Sequence, residues 1–554
     1  MKTTILKLVR LEGNNNRLIY NQHLFYLKAI AISLLFCHFF ASCQEPKEEL
    51  VNIKNDQFWD TVDGEPIYSQ GGGIFRFTDP SDGVEKYFWY GVHYKEAELY
   101  REDPSVTQER NHFKAVSCYT STDLSNWKFA GNVLDRAEIE KHNPGVGWVG
   151  RMGVTYIKEL KKFALFIQNN SGVLIALSET PNGSFKWHWR KDMTETIGTP
   201  NTGDQTVFTD PDNGKSYLVY SYGRGRHKIY ISEIGVKDGK VDLLDCTQVF
   251  KGAGREGNCM FKYNGKYYLY ASNLYGWDCS HAYYLVADDI RGPYLPENNM
   301  LITKGAEEDY AHITQTGFFV KVKGSNKETV VYCGDRWADF AGNGLGYNQW
   351  VPMSFEGHTP YFNSLNSWNL NAKTGNWEVA DDNNYVKNGS FEADRRHIPN
   401  PVKPVQTHLT GWTTEVIKGT KISNEGYSPR LNYFNTKEDR QTVIGEKSLN
   451  INDSIAFERK VSQLISSSPY VELKSGSYTL SLKIKNSDGF NNLEIYTSSN
   501  GKTTSKVISN ANLTWTTISI NNVMVENGTV EIGFKADGQA NANCQIDDVS
   551  LIKN

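Results

Sequence analysis

One short pattern recurs five times and constrains the fold more than any other feature. It reads Lys86-Tyr87-Phe88-Trp89-Tyr90, Lys162-Phe163-Ala164-Leu165-Phe166, Lys215-Ser216-Tyr217-Leu218-Val219-Tyr220, Lys266-Tyr267-Tyr268-Leu269-Tyr270 and Thr329-Val330-Val331-Tyr332. Short aromatic and β-branched runs of this kind form strands. Three of the copies follow tight-turn chemistry at Ser81-Asp82-Gly83, Asp212-Asn213-Gly214 and Asn264-Gly265, the residues that hairpins require. A second theme repeats as well: Thr180-Pro181-Asn182-Gly183-Ser184-Phe185 echoes Ile290-Arg291-Gly292-Pro293-Tyr294. The copies lie roughly 50–75 residues apart, near the about 40–50 residues of a propeller blade. Five copies predict five blades, and no long amphipathic helix pattern competes.

The aromatic count agrees: 31 Tyr, 26 Phe and 13 Trp in 554 residues. These residues favour strands, but they also offer flat apolar faces to sugars, and composition alone does not separate the two uses. Net charge is −4, from 59 basic and 63 acidic residues. No bulk field therefore recruits nucleic acid or anionic membrane. A mean hydropathy of −0.52 excludes a polytopic membrane protein.

The N-terminus reads as an address. Lys2, Lys7, Arg10, Arg17 and Lys28 precede an apolar stretch from Ala29 to Ala41, too short to span a bilayer but suited to a signal-peptide core. It ends in Phe40-Ala41-Ser42-Cys43, which resembles the bacterial lipobox. On that reading residues 1–43 are a lipoprotein signal and Cys43 is lipidated; the alternative is a plain secretory signal with a chance cysteine. Residues 44–55 form an acidic tether. Either way the protein is exported, and with the lipid it is anchored at a bacterial outer membrane. Export permits disulfides, yet Cys118, Cys246, Cys259, Cys279, Cys333 and Cys544 show no CxxC spacing, so buried free thiols are expected.

Near Asp381–Tyr385 the character changes. The tail has short alternating strands such as Tyr478-Thr479-Leu480-Ser481-Leu482-Lys483-Ile484, punctuated by Ser487-Asp488-Gly489 and Asn500-Gly501. The chain is thus read as all-β: a five-bladed β-propeller over 56–380, then a β-sandwich of jelly-roll type over 384–554. The linker is short, so the two domains are expected to touch. Trp412 and Trp515 are read as core rather than sugar-binding.

Two segments of the propeller carry acids at the start of apolar strands: Thr202-Gly203-Asp204-Gln205-Thr206-Val207-Phe208 and Arg255-Glu256-Gly257-Asn258-Cys259-Met260-Phe261. Glycoside hydrolysis needs a proton donor for the leaving oxygen and a base or nucleophile opposite. On a propeller such groups must converge on the axis from different blades. Spacing alone would equally suit two solvated loop acids.

With these motifs the region from about Asp56 to Val379 resembles glycoside hydrolase family 43, five-bladed propellers that cleave glycosides with inversion. Ser121-Thr122-Asp123-Leu124-Ser125-Asn126-Trp127 is similar to the family's S-x-D-L-x-x-W turn. The resemblance implies that Glu256 is the general acid and that Asp204 modulates its pKa and orients it, with no cofactor needed for catalysis. Gln70-Gly71-Gly72-Gly73-Ile74, Tyr87-Phe88-Trp89-Tyr90-Gly91, Arg151-Met152-Gly153-Val154, Leu274-Tyr275-Gly276-Trp277-Asp278 and Gly334-Asp335-Arg336-Trp337 resemble the branch of galactan 1,3-β-galactosidases. By that resemblance Arg151 binds a sugar hydroxyl and Trp277 stacks on a sugar face; a structural ion pair and a blade-packing tryptophan are the alternatives.

Two departures matter. The branch usually has glutamate directly after W-Y-G, where this chain has Val92-His93, which leaves arabinofuranosidase, galactofuranosidase or xylosidase activity open. The base aspartate that most of the family carries in blade one falls here on Gly71-Gly72-Gly73-Ile74. Gln315, in His312-Ile313-Thr314-Gln315-Thr316, matches a fifth-blade glutamine implicated in the galactan branch; an amide is a poor base and suits positioning of the water. Glu356 is the other candidate base.

Asp210-Pro211-Asp212-Asn213-Gly214 lacks the spacing and terminal glutamate of an EF-hand and reads as a turn. In the tail, Val386-Lys387-Asn388-Gly389-Ser390-Phe391-Glu392 and Ile546-Asp547-Asp548-Val549-Ser550-Leu551 look like the first and last strands of galactose-binding-like jelly rolls, including carbohydrate-binding modules. That likeness implies a structural calcium at Glu392 with Asp547 or Asp548. The resulting expectation is an exported, lipid-anchored glycosidase acting on galactan- or arabinogalactan-type polysaccharide or oligosaccharide. Its rival is a glycan-binding lipoprotein whose propeller has lost catalysis.

Overall fold

The computed structural model describes residues 49–108, 112–276, 280–305, 314–337, 348–394, 409–420, 431–432, 435–443 and 445–554. Cys43, the signal segment, most of the tether and Trp277 lie outside the described residues. Leu50–Asn554 form one compact unit.

The five repeated motifs each occupy the second strand of one of five successive antiparallel sheets. Sheet 1 begins with Gln70–Thr78, sheet 2 with Met152–Ile157, sheet 3 with Thr202–Thr209, sheet 4 with Glu256–Tyr263 and sheet 5 with Gln315–Lys323. The turns are those that the residues predict: Gly83, Gly214 and the Asn264-Gly265 pair all have left-handed φ. Asp210 closes its own turn, with Gly214 N–H donating to Asp210 O at 2.8 Å.

The leading strands touch in cyclic order, first to second and on to the fifth, which touches the first. Buried hydrophobic clusters follow the same circuit. One joins sheets 1 and 2, others join 2 with 3, 3 with 4 and 4 with 5, and the last joins 5 with 1. The fifth-to-first cluster holds Trp89, Trp127, Trp350 and Trp368, with Trp89 and Trp350 centroids 4.9 Å apart. Trp127 reaches it because Ser121 and Asp123 fold their segment into a tight turn. Ser121 Oγ accepts from Leu124 N–H at 3.0 Å, and Asp123 Oδ1 accepts from Asn126 N–H at 2.7 Å. A further sheet pairs Val51–Lys54 with Ser367–Leu370, tying the start of the described chain to the strand that follows sheet 5.

The tail forms two five-stranded antiparallel sheets over one hydrophobic cluster. Tyr478, Leu480, Leu482 and Ile484 are buried and their neighbours are not, the period of two that their alternation predicts. Four corrections arise. Val386–Glu392 is a turn segment rather than a strand, because Asn388 and Phe391 have left-handed φ of 48° and 56°. It still docks on the last strand, through Val549 N–H to Gly389 O at 2.9 Å. Trp412 is core, stacked on Phe391 and Phe534, but Trp515 is only half-buried and lies beneath the Lys485 ammonium, 5.3 Å from it. Cys118, Cys259, Cys333 and Cys544 are buried free thiols, whereas Cys246 is exposed. Glu356 ends an outer strand with a strongly exposed side chain, 3.6 Å from Lys304, so it is no base for the pocket.

Candidate active site

The leading strands begin at a common pocket of about 390 Å³. Where they begin, four of the five carry the same irregularity. Pairing with the second strand slips by one residue between Gln70 and Gly73, Thr202 and Gln205, Glu256 and Cys259, and Gln315 and Phe318. A bulge of this kind bends a strand and re-aims its side chains. In sheet 4 it requires Gly257, whose φ is +62° and whose Cβ, if present, would lie 2.4 Å from Thr316 O.

The bulges bring Asp204, Glu256 and Gln315 together with Arg151, which directly precedes the leading strand of sheet 2. Arg151 is buried and spans the site. Its Nη2 donates to Gln315 Oε1 at 2.5 Å, its Nη1 to Asp335 Oδ2 at 2.6 Å and its Nε to Asp204 Oδ2 at 3.3 Å. Asp204 also accepts from Gly257 N–H at 2.8 Å and from Gln168 Nε2 at 3.2 Å. Asp335 accepts from Gly71 N–H at 3.1 Å, in the bulge of sheet 1. Trp337 Nε1 donates to Gln315 Oε1 at 2.9 Å.

The two acids of the sequence reading have opposite electrostatics. Burial first, and the negative Asp204 second, push the Glu256 carboxyl up to about 8. Burial would also raise Asp204, but Arg226, Arg151, the Gly257 N–H and Gln168 outweigh it and hold that carboxyl below its ordinary value. At neutral pH the pair is therefore one protonated acid beside one carboxylate. Burial raises Asp335 too, against the pull of Arg151. Gln315 hydrogen-bonds Glu256 and lowers its pKa. Because Gln315 Oε1 already accepts from two donors, its amide works through N–H.

Sequence reasoning missed Arg226, Asp335, Gln168, Trp148 and Trp337. Arg226 lies 3.4 Å from Glu256 and 3.8 Å from Asp204. Its backbone is left-handed at φ 48°, in the turn between the second and third strands of sheet 3. The signal for Asp335 and Trp337 was present in Gly334-Asp335-Arg336-Trp337, but nothing local says that Trp337 lines the pocket while Asp335 holds Arg151 behind it. The wall from sheet 1 is apolar: Val92 lines the pocket, and the Tyr94 hydroxyl is taken up by Val149 O at 2.6 Å.

The sequence model described as "Glycosyl hydrolases family 43" matches residues 100–348, somewhat under half of the chain. Over those residues the chain is similar to the family 43 glycosyl hydrolases. The chain is accordingly a glycosidase that hydrolyses O-glycosyl bonds, and its substrate is a carbohydrate. No curated protein sequence matches it. In fold it is similar to the exo-β-1,3-galactanase of Clostridium thermocellum, at 18% identity and TM-score 0.51 over 91% of this chain and 100% of that one. It is similar too to the exo-β-1,3-galactanase of Phanerochaete chrysosporium crystallised with galactose, at 20% identity and TM-score 0.50 over 90% and 100%. A variant of the latter with β-1,3-galactotriose gives 20%, 0.50, 90% and 99%.

Outside the matched residues, the structure separates the two aspartates of the tail. Asp547 is fully buried, 3.5 Å from Asn435 Nδ2. Asp548, with φ 49°, turns outward to Lys483 at 2.9 Å. Glu392 is buried between Lys447 at 3.7 Å and Arg336 at 3.9 Å. Burial raises both Glu392 and Asp547, and Glu392 adds to the rise at Asp547. Two buried carboxylates that repel one another are the hard oxygen donors that a divalent cation relieves. Among the described residues no third acid, histidine or cysteine joins them, so further ligands would be amide and carbonyl oxygens.

Proposed function

We propose that the enzyme is an inverting exo-glycosidase acting on terminal β-1,3-linked galactose in galactan or arabinogalactan chains. The observation that carries this reading is the split pair, with Glu256 protonated up to about pH 8 beside an ionised Asp204 at the pocket's base. Glu256 protonates the glycosidic oxygen as the bond breaks, water attacks the anomeric carbon from the other face, and the proton shed by the new hydroxyl passes to solvent. Gln315 holds that water by N–H donation. Asp204 keeps Glu256 protonated, while Arg151 holds Asp204, Asp335 and Gln315 in one frame and Arg226 balances the two acids. The galactanases similar in fold support the sugar; the apolar Val92 wall is the feature of this chain that bears against it.

In this reading the five cyclic sheets over 56–380 are the blades of a five-bladed propeller, and the two sheets over 384–554 are a carbohydrate-binding-module-like sandwich. Residues 1–43 export the protein and Cys43 anchors it to an outer membrane. Glu392 and Asp547 hold a structural calcium from which Asp548 is excluded.

The test is a panel of 4-nitrophenyl β-galactopyranoside, β-galactofuranoside, α-L-arabinofuranoside and β-xyloside together with β-1,3-galactan, with the first-formed anomer read by NMR. Galactose released as the inverted anomer is expected. Turnover of a furanoside or xyloside instead moves the specificity within the class. No turnover of any substrate overturns the catalytic assignment.

A further inference from the structure

Arg336 stands between Asp335, which holds the pocket's Arg151 from behind, and Trp337, which lines the pocket. Asp335, before it, bonds Arg151; Trp337, after it, bonds Gln315. The Arg336 carbonyl accepts from Gln70 Nε2 at 3.3 Å, so its backbone is fixed against the start of sheet 1. Its guanidinium leaves the pocket for two carboxylates. Nη1 lies 3.2 Å from Asp56, just after the closing strand, and Nη2 lies 3.9 Å from Glu392 in the C-terminal region. Asp56 is fixed in turn by Gln349 Nε2 at 2.5 Å. Arg336 and Glu392 are both buried, which strengthens their coupling.

We infer that Arg336 is a positioning residue that uses Glu392 of the C-terminal region, together with Asp56, to hold the Trp337–Gln315 pair against Glu256. The inference rests on the reading of Glu256 as the acid. Without its two carboxylate anchors the Arg336 side chain no longer braces the neighbouring Trp337, although Gln70 still holds the backbone and Arg151 still holds Asp335. Gln315 then loses the Trp337 donor that orients its amide, and with it the hydrogen bond that draws the Glu256 pKa down. The C-terminal region is on this view part of the catalytic apparatus and not an appended module. Other contacts between the two regions, such as Arg440 Nη2 to Ser105 O at 2.7 Å and the Tyr361–Tyr470 ring pair at 5.4 Å, involve none of the residues that bond Gln315.

The experiment is a double-mutant cycle of Arg336→Gln and Glu392→Gln in the full chain. kcat, KM and the alkaline limb of kcat/KM are measured on the aryl glycoside that the wild type turns over best. Arg336→Gln is expected to lower kcat about tenfold, as small misplacements do, with KM changed less. Its alkaline limb should move upward by about half a pH unit, because a bond to the charged acid is lost. Glu392→Gln should move both quantities in the same direction by less, and the double variant should be no worse than Arg336→Gln alone. Additive losses, or an alkaline limb that stays put, overturn the inference, since a purely structural ion pair affects stability and not the acid's titration. If Arg336→Gln does not fold, Arg336→Lys takes its place, and Glu392→Gln is read both with saturating calcium and with EDTA, so that loss of a calcium ligand is told apart from loss of the ion pair. A wild type with no limb near pH 8 would instead discard the assignment of Glu256, which keeps the two failures distinct.

Discussion

At the residue scale, the chemistry depends on one pKa being high and its neighbour's low. An acid near 8 is protonated at neutral pH, so kcat/KM should fall as pH rises through about 8, while Asp204 ionises below the ordinary carboxylate range. Asp204→Asn removes the charge that raises Glu256, so the alkaline limb should move down and kcat should drop on the order of tenfold to a hundredfold. A pH–rate profile checks both. Glu256→Gln should lower kcat about a thousandfold with an unchanged circular dichroism spectrum. Stability should respond in the opposite sense. The folded pKa lies above the ordinary value of 4.5, so the folded state binds this proton more tightly and wild-type stability declines as pH rises from about 4.5 to about 8. Gln carries no such slope. The Tm of the variant should therefore gain on the wild type between those limits, which scanning calorimetry at the two pH values reads directly. Glu256, Asp204, Gln315 and Arg151 were legible as residues because each sits in a motif. Their partnership was not, because Arg226, Asp335 and Gln168 come from strands and loops far away in sequence.

At the element scale, the bulge that starts four of the five leading strands is the device that turns a repeated sheet into a pocket. Gly257 shows its cost most clearly: it combines a left-handed backbone, close approach to Thr316 O and an N–H held by Asp204. Gly257→Ala should destabilise the protein by about 1–3 kcal/mol from backbone strain and should reduce activity by tilting Glu256. Urea unfolding and kcat together test it, and a variant with full activity and stability would remove the bulge from the argument. The strands themselves were readable, since aromatic runs after Asn-Gly or Asp-Gly turns have few alternatives. The bulges were not, because a glycine near a strand start is also the mark of an ordinary turn. Val386–Glu392, read as a strand from its likeness to the first strand of galactose-binding-like jelly rolls, is instead turned by Asn388 and Phe391.

At the scale of the molecule, a ring of sheets brings residues from every part of the chain to one axis. Val51–Lys54 pairs with Ser367–Leu370 across more than 300 residues of chain, so deleting this strand should loosen the first and fifth sheets and lower Tm without altering the acids. The calcium proposal belongs to this scale as well. If Glu392 and Asp547 hold the ion, calcium at a hundredfold above its Kd should stabilise the fold by about 2.7 kcal/mol. EDTA should reverse that shift, and Asp547→Asn should abolish it while Asp548→Asn leaves it intact. A Tm indifferent to calcium and EDTA removes the ion from this account.

By itself the sequence determined the all-β class, the five repeated units, the change of character near residue 381 and the two acids, because strand propensity, turn chemistry and motif are properties of adjacent residues. Only the tertiary structure decided that Glu356 lies on the exterior, that Asp547 rather than Asp548 faces inward and that Arg336 links the pocket to the C-terminal region. It also decided which aromatics face the pocket: Trp148 and Trp337 do, while Trp89, Trp127 and Trp350 pack the core. Burial and ion pairing depend on which distant strands come together, and a one-residue bulge is enough to exchange the inside of a strand for its outside.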